Sequence, residues 1–210
     1  MATRFDDLDL GNGYHVRAIT GEAYREALAR LEPRIFGDYF TFDVTRSLSN
    51  ARRAQVAQWK QAQAGFYRLC LGIYFAGELV GWQVSQQVLD AGIQMLDTGL
   101  LPEHQGKGTY SRLLPHLIAE FRELGFDHIL SFHRATNNAV IIPKLRAGFL
   151  IQGFQMDEYG LTLRLLYPFN DTFRESLQVR SGERRPAGTV AELMGLKSDA
   201  AGAPAHQPKA

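Results

Sequence analysis

A glycine-rich turn, Gln105-Gly106-Lys107-Gly108-Thr109-Tyr110, is the feature that most constrains what this chain can fold into. An apolar run typical of a β-strand precedes the turn, and leucines at helical spacing follow it. Glycine lets the backbone approach a ligand closely, and the first turn of a helix presents N–H groups that have no partner within the helix. The segment therefore predicts a strand–turn–helix unit that can hold a phosphate or diphosphate group.

Two common glycine motifs fit this turn poorly. A P-loop needs Ser or Thr directly after its Gly-Lys pair, but Lys107 is followed by Gly108, and Leu101 stands at the first glycine position. A dinucleotide fingerprint has a third glycine where this chain has Ser111, although Arg134 after the next strand could meet a 2′-phosphate. A P-loop is thus excluded, whereas a nicotinamide cofactor and a ligand-free structural turn both remain open.

Hydrophobic periodicity predicts a mixed order of strands and helices. Strands are expected at 14–19, 66–75, 78–87, 93–101, 127–134, 149–154 and 159–167, and helices at 21–31, about 49–64, 108–124 and 137–147. Pro33 is expected to end the first helix, and Ala76-Gly77 is expected to join two strands of a hairpin. This order indicates an α/β fold.

Composition and charge limit the classes of protein to which this chain can belong. The chain has 210 residues, 45% of them hydrophobic, and a net charge of +1, which argues against a surface built to neutralise nucleic acid. The single cysteine, Cys70, cannot form an internal disulfide and favours a reducing compartment. Residues 1–9 lack the apolar core of a signal peptide, and no run reaches the roughly 20 apolar residues of a membrane helix. We therefore expect a soluble cytoplasmic protein that binds neither nucleic acid nor membrane.

The C-terminal segment, residues 171–210, is expected to be a mostly disordered extension with short helices at most. Residues 181–210 are rich in glycine, proline and alanine, so they bury too little surface to offset the entropy lost on ordering. The local exception is Thr189-Val190-Ala191-Glu192, which matches a capping box that could start a short helix.

A wider resemblance bears on function. Pro102-Glu103-His104-Gln105-Gly106-Lys107-Gly108, followed by Leu113-Leu114, resembles motif A of the GNAT superfamily of N-acetyltransferases, Arg/Gln-x-x-Gly-x-Gly/Ala. Asn137 and Gly148-Phe149 are spaced as in that superfamily's Asn-…-Tyr-x-x-x-Gly-Phe signature, and the order of elements over residues 14–167 is similar. The resemblance implies an α/β domain over residues 1–170, with a mixed, mostly antiparallel twisted sheet of about seven strands flanked by about four helices.

The resemblance also implies acetyl-CoA, or another acyl-CoA, as the cofactor. Backbone N–H groups of the glycine turn would hold its diphosphate. Thr98 and Leu100 would offer backbone groups to the pantetheine arm, an N–H near Leu100 would stabilise the oxyanion, and Asn137 would lie beside the arm. The implied cofactor-binding residues are Thr98, Leu100, Gln105, Gly106, Lys107, Gly108, Thr109, Tyr110 and Asn137.

Two residues depart from the superfamily pattern. Tyr110 stands where motif A usually has glycine or alanine, so its side chain either crowds the diphosphate or points away. Lys144 stands where a tyrosine often protonates the departing CoA thiolate, and Pro143 weakens the helix just before it. A lysine could still donate that proton.

The catalytic candidates are Asp97, His133, Lys144 and Tyr159. A primary amine with a pKa of about 10.4 is almost fully protonated at neutral pH, so a base assists its attack. Asp97 lies on the strand before the motif, and His133 alternates with Ser131 on the next strand. Tyr159, between the last two strands, could protonate the thiolate. Purely structural roles remain open for Asp97, His133 and Tyr159.

The leading hypothesis is an N-acyltransferase that moves an acyl group from acyl-CoA to a primary amine by direct attack in a ternary complex. The alternative is a CoA-binding module with little or no transferase activity. Segment 34–48, with Asp38 and Asp43, and segment 153–160, with Asp157 and Glu158, would line the acceptor site or form a hydrophobic cap. The acceptor is expected to be a small-molecule or peptide amine. A homodimer remains open, and the histidines lack metal-ligand spacing, so no metal is expected.

Overall fold

Eight β-strands form one sheet in the part of the chain that the computed structural model describes, which comprises residues 4–37, 47–62, 65–89, 91–157 and 160–196. The strands are β1 (Leu8–Gly11), β2 (Tyr14–Ala18), β3 (Arg68–Phe75), β4 (Glu78–Gln87), β5 (Gly92–Leu100), β6 (His128–Arg134), β7 (Leu150–Asp157) and β8 (Gly160–Pro168). Their order in the sheet is β1-β2-β3-β4-β5-β6-β8-β7. The pairs from β1 to β5 and the pair β7–β8 are antiparallel, which confirms the predicted fold class with one more strand than expected.

The chain divides into two compact units, residues 1–167 and 168–210. Besides the sheet, the first unit contains four described α-helices: α1 (Gly21–Ile35), α2 (Asn50–Ala62), α3 (Thr109–Glu123) and α4 (Asn138–Arg146). A short 3-10 helix, Pro102–His104, leads into the glycine turn before α3.

The additional strand, β1, lies at the edge of the sheet. It pairs with β2 across a tight turn in which Gly11, Asn12 and Gly13 all have positive φ. This backbone conformation suits glycine and asparagine, so the turn residues favour a hairpin even though the strand has only four residues.

Helix α1 shows that one prediction was wrong. Thr20 caps the helix by accepting a hydrogen bond from the backbone N–H of Ala23 (3.1 Å), and the helix continues through Pro33 to Ile35. A proline removes its own N–H from the helical ladder and crowds the carbonyl four residues earlier, but it leaves the N–H groups of the following residues free to bond. The next turn closes through a bond from the Phe36 N–H to the Glu32 carbonyl (2.8 Å), so the last turn of α1 survives.

The core covers both faces of the central strands. Residues 80–85 of β4 are all buried, including those that point to opposite faces. On one face, α1 packs against β3 and β4, and the Tyr24 ring meets the edge of Trp82 with centroids 6.4 Å apart. Helix α3 contributes its own apolar side, because Leu113, Leu117 and Phe121 are fully buried.

One parallel junction joins β5 to β6. Only four residue pairs connect the strands, from Gly92 with His128 to Met95 with Ser131. Beyond these pairs the strands continue to Leu100 and Arg134 but do not pair with each other. The sheet therefore opens between β5 and β6 at the end from which the glycine turn departs.

The second unit contains α5 (Asp171–Arg180) and α6 (Gly188–Leu193). Asn170 caps α5 through a bond from the Phe173 N–H (3.0 Å). Helix α6 lies where a short helix was expected, but it begins at Gly188 with Ala187 at the cap position, so the predicted capping by Thr189 is wrong. Residues 197–210 lie outside the described ranges, and their disorder stays a prediction. Across the described helices, none is long and apolar enough to cross a membrane.

Candidate active site

A cleft of about 890 Å³ occupies the opening between β5 and β6. Its walls come from the end of α1, from β5 and β6, from α4, and from β7 and β8. Among the predicted site residues, those that line the cleft are Asp97, Thr98, His133, Asn137 and Lys144. Tyr159 lies outside the described residues, as do Asp38, Asp43 and Glu158, so their roles stay predictions.

The glycine turn enters α3 in a left-handed conformation. Gly106 and Gly108 have φ of +71° and +73°, values that residues with a side chain rarely adopt. The side-chain amide of Gln105 donates to the carbonyl of Leu100 (2.8 Å), and Nη1 of Arg112 donates to the carbonyl of Lys107 (3.0 Å). The turn is thus tied at one side to the end of β5 and at the other to α3.

The turn has the chemistry that a diphosphate requires. The first turn of α3 contains no acidic side chain, and its free N–H groups give that end of the helix a partial positive charge. Among the described residues, the buried Nε and Nη2 of Arg112 and the buried Oγ1 of Thr109 have no hydrogen-bond partner. Donors without partners beside an exposed helix N-terminus fit an anionic group.

Tyr110 points away from the turn. Its hydroxyl lies 3.8 Å from Sδ of Met95 on β5, and its ring centre lies 6.0 Å from Nζ of Lys144 on α4. Burial raises the pKa of the phenol above its ordinary value. The bulky side chain therefore packs toward β5 and α4 and leaves the exposed glycines clear.

Asp97 is held beside an aromatic wall. The indole N–H of Trp82 donates to its Oδ2 (2.7 Å), and the Phe36 ring lies against Trp82 at 6.1 Å between centroids. Burial raises the pKa of the Asp97 carboxyl and the charge of Glu32 adds to the increase, while hydrogen bonds from Trp82 and the Thr98 backbone partly oppose it. This carboxyl therefore binds a proton more readily than an exposed aspartate does.

Three polar side chains meet at the point where the strands part. Nζ of Lys144 donates to Oγ of Ser131, which lies 2.7 Å from Nε2 of His133, and Nζ also lies 3.2 Å from Sδ of Met95. Burial lowers the pKa of Lys144 well below its ordinary value. Burial and the adjacent Lys144 together lower the pKa of His133 to about 3.

The sequence did not identify every residue of this site. Leu100 and residues 105–110 do not line the cleft: Leu100 ends β5, and the others form the turn or, like Tyr110, pack behind it. Met95 and Glu32 do line the cleft, although neither was a candidate. Their positions depend on where two strands part and where a helix ends, and no local motif encodes either.

The fold and the cleft together define an α/β protein whose sheet opens beside a glycine turn that fits an anionic group. The acetyltransferase (GNAT) family model matches residues 28–149, which is more than half of the chain. The chain belongs to the GNAT acetyltransferase family, and the resemblance found in the sequence is confirmed. This family membership also confirms the predicted cofactor class, acetyl-CoA or another acyl-CoA. Among curated proteins no match was found.

Solved structures share this fold at low sequence identity. The ribosomal-protein-S18-alanine N-acetyltransferase from Escherichia coli is 18% identical with a TM-score of 0.54, over 75% of this chain and 94% of that one. A ribosomal L7/L12 alpha-N-protein acetyltransferase in complex with coenzyme A is 15% identical with a TM-score of 0.55, over 77% and 97%. The yncA protein from Salmonella typhimurium, solved with its cofactor acetyl-CoA, is 16% identical with a TM-score of 0.53, over 75% and 94%. At these identities the likeness establishes the fold alone.

Proposed function

We propose that this protein is an N-acyltransferase that moves an acetyl or other acyl group from acyl-CoA to a primary amine by direct attack in a ternary complex. The observation that carries the proposal is the opening between β5 and β6, into which Asp97, His133 and Lys144 all face. Acid–base groups gathered in one cleft beside a phosphate-binding turn suit a reaction that moves protons during group transfer.

The cofactor half of the site is the glycine turn with the open edge of β5. In this proposal, the backbone N–H groups from Gly106 to Tyr110 hold the diphosphate, and Lys107 and Arg112 add positive charge beside it. Thr98, Leu100 and Asn137 flank the pantetheine arm. When bound, acyl-CoA supplies a thioester carbonyl that a neutral amine can attack.

The acceptor half of the site is the wall formed by α1 and β5. Glu32 and Asp97 both line the cleft there, and the pKa of Asp97 is raised partly by the charge of Glu32. Two carboxyl groups beside the Phe36 ring, which also lines the cleft, attract an ammonium group electrostatically. A raised pKa also brings Asp97 closer to the working pH, which favours it as the base that removes the first proton.

Primary amines of two kinds belong among the acceptors. The cleft is open and lined by both charges and rings, so it suits a small-molecule amine or the end of a peptide. Two of the structures with this fold are ribosomal-protein N-acetyltransferases, and this supports including peptide α-amines.

The test is CoA thiol release from acetyl-CoA with a panel of polyamines, lysine derivatives and short peptides with free N-termini. Release that depends on one amine class, together with formation of its amide, supports the proposal. Asp97→Asn keeps an oxygen that can accept from Trp82 but loses the base, so it should lower that release while CoA still binds. Binding of CoA without release by any amine would indicate the CoA-binding module instead.

A further inference from the structure

A continuous line of three polar side chains crosses the point where β5 and β6 part. Lys144 on α4 donates from Nζ to Oγ of Ser131, and that oxygen lies 2.7 Å from Nε2 of His133 on the same strand. All three side chains line the cleft. Within the described residues, Ser131 is therefore the hydrogen-bonded link between the lysine and the histidine.

The middle of this line is sealed from water. Ser131 has no exposed surface and Lys144 is only 1% exposed. Burying a lysine is unfavourable unless its polar atoms have partners, and a purely apolar residue such as methionine would fill the same space without that penalty. A chemical use for the amine accounts for a lysine at this position better than packing does.

The line can carry hydrogen bonds of either polarity. A hydroxyl donates one hydrogen bond and can accept others, and a neutral amine can donate or accept a hydrogen bond. A neutral imidazole has one donor nitrogen and one acceptor nitrogen. In one arrangement Lys144 donates to Ser131 and Ser131 donates to His133. In the other, His133 donates from Nε2 to Ser131, and Ser131 donates to Lys144. In the second arrangement a proton can pass from Nε2 through the hydroxyl to the neutral amine of Lys144 without movement of a heavy atom.

We propose that Ser131 relays a proton between His133 and Lys144, so that loss of a proton by the acceptor amine at one end is coupled to protonation of the CoA sulfur at the other. This inference rests on the proposed function and adds Ser131 to it as the link. Ser131 itself does not touch the reacting atoms, so it is a positioning and relay residue.

The protons and electrons of the transfer balance along this line. An ammonium acceptor first loses one proton to Asp97, from which the proton passes to solvent. The nitrogen then forms a bond to the acyl carbon, and the carbon–sulfur bond breaks with its electron pair on sulfur. The second nitrogen proton passes to His133, a proton moves from Nε2 through Ser131 to Lys144, and Lys144 delivers a proton to the sulfur. Water in the cleft returns the imidazole to its starting tautomer.

Other ionisable side chains face the same line. Glu32 from α1, Asp97 from β5, Arg134 from β6 and Asp157 from β7 all line the cleft. The test therefore uses kcat, KM and coupling between variants at one fixed pH, because the pH profile of the cleft combines several groups.

The experiment is a double-mutant cycle on the full chain, with an amine that the panel identifies. Ser131→Ala and Lys144→Met should each lower kcat by about 10²-fold, the lower end of what positioned acid–base groups supply, while the Kd for CoA stays the same. Because each change breaks the same line, the double variant should be no slower than the slower single variant. Ser131→Thr keeps a hydroxyl and should recover most of the rate.

The matched control is Ser85→Ala. Ser85 is also fully buried in a central strand and accepts a hydrogen bond from Nε2 of Gln83 (2.7 Å), but it does not line the cleft. This variant should change stability and leave kcat near that of the unmodified protein. An equal loss of kcat in Ser85→Ala would show that the effect at Ser131 is structural and would overturn the relay.

Several outcomes separate the relay from the function on which it rests. Rate losses that multiply in the double variant would overturn the relay alone, since the residues would then act independently. If Ser131→Ala does not fold, single-turnover rates of the unmodified protein in H₂O–D₂O mixtures decide instead. A relay moves several protons in one step, so a plot of the single-turnover rate against the D₂O fraction should be curved. A linear plot would contradict the relay. If no amine in the panel releases thiol, the acyltransferase proposal fails and the relay fails with it.

Discussion

At the scale of single residues, Gly108 lies in the turn that we propose holds the cofactor. Gly108 has a φ of +73° and immediately precedes the first residue of α3. A Cβ at this position would lie 3.2 Å from Nη1 of Arg112. A side chain there would strain the backbone and stand in front of the free N–H groups of the helix.

We expect Gly108→Glu to abolish measurable CoA binding in calorimetry, because a carboxylate would repel the diphosphate at the place where the helix N-terminus should attract it. Gly125→Glu is the matched control, since Gly125 has a φ of +82° at the opposite end of the same helix. Both variants strain the backbone, but only the first should lose CoA. Equal CoA affinity in the two variants would place the cofactor elsewhere.

The buried imidazole of His133 should make the stability of the fold depend on pH in the acid range. An unfolded histidine gains a proton near pH 6.5, whereas the folded side chain has a pKa of about 3. The unfolded state therefore binds more protons between these values, so this residue lowers the free energy of unfolding as the pH falls from about 6.5 toward 3, by at most about 1.4 kcal/mol per pH unit. Above that range it has no such effect.

We expect His133→Asn to lose stability less steeply than the unmodified protein between pH 6.5 and 4, as measured by urea unfolding at several pH values. Comparing the two proteins at each pH cancels the titration of the carboxyl groups they share. Parallel stability curves would mean that His133 is solvated and that its pKa is not lowered in the fold.

At the scale of elements, α4 positions part of the site. Asn137 stands at its N-cap, and Lys144 lies in its last turn. Ile141 is 6% exposed and anchors the helix, whereas its neighbour Ile142 is 44% exposed. The two residues allow the same chemical change to be made on the buried side and on the open side of one helix.

We expect Ile141→Ala to lower the free energy of unfolding by about 2–4 kcal/mol, because it removes buried methyl groups and leaves a cavity. Ile142→Ala should change it by less than about 0.5 kcal/mol, since an exposed position loses little burial and alanine favours a helix. Denaturant titration measures both. Similar losses in the two variants would show that α4 is not oriented as described.

The elements that the sequence predicted well have strong periodicity or strong turn signals. The leucines of α3 and the hairpin at Ala76-Gly77 are found where expected, because each follows from local spacing or from a backbone conformation that glycine favours. Strand β1 was missed because four residues give too short a pattern. Helix α1 passed through Pro33 because packing of the helix outweighs the loss of one hydrogen bond.

The candidate site was predictable only in part for a related reason. The turn, the residues toward the ends of β5 and β6, and the place of Lys144 in the helix after β6 follow from motif and order, so Asp97, His133 and Lys144 were within reach of the sequence. The contact between Lys144 and Ser131 depends on the angle between α4 and β6, which no run of residues encodes. The side-chain direction of Tyr110 likewise depends on Met95, fifteen positions earlier in the chain.

At the scale of the whole molecule, cofactor binding should increase the free energy of unfolding of the protein. A ligand that binds only the folded state at 100 times its Kd adds about 2.7 kcal/mol. For a chain of this size that corresponds to a rise in Tm of about 5–10 °C.

We expect CoA and acetyl-CoA to raise Tm by this amount in differential scanning calorimetry, while nicotinamide dinucleotides leave it unchanged. The Gly108→Glu variant should show no rise with either ligand. A rise with a nicotinamide dinucleotide and none with CoA would instead support an oxidoreductase.

The short parallel pairing between β5 and β6 joins two groups of strands. Because only four residue pairs connect the two strands, the gap beyond these pairs is formed by the path of the backbone and does not depend on small side chains. Surface segments around the mouth can then be exchanged without disturbing the gap itself. If the reaction takes place in this gap, as we propose, the preferred acceptor can change with the surrounding segments while the position of the reaction stays fixed.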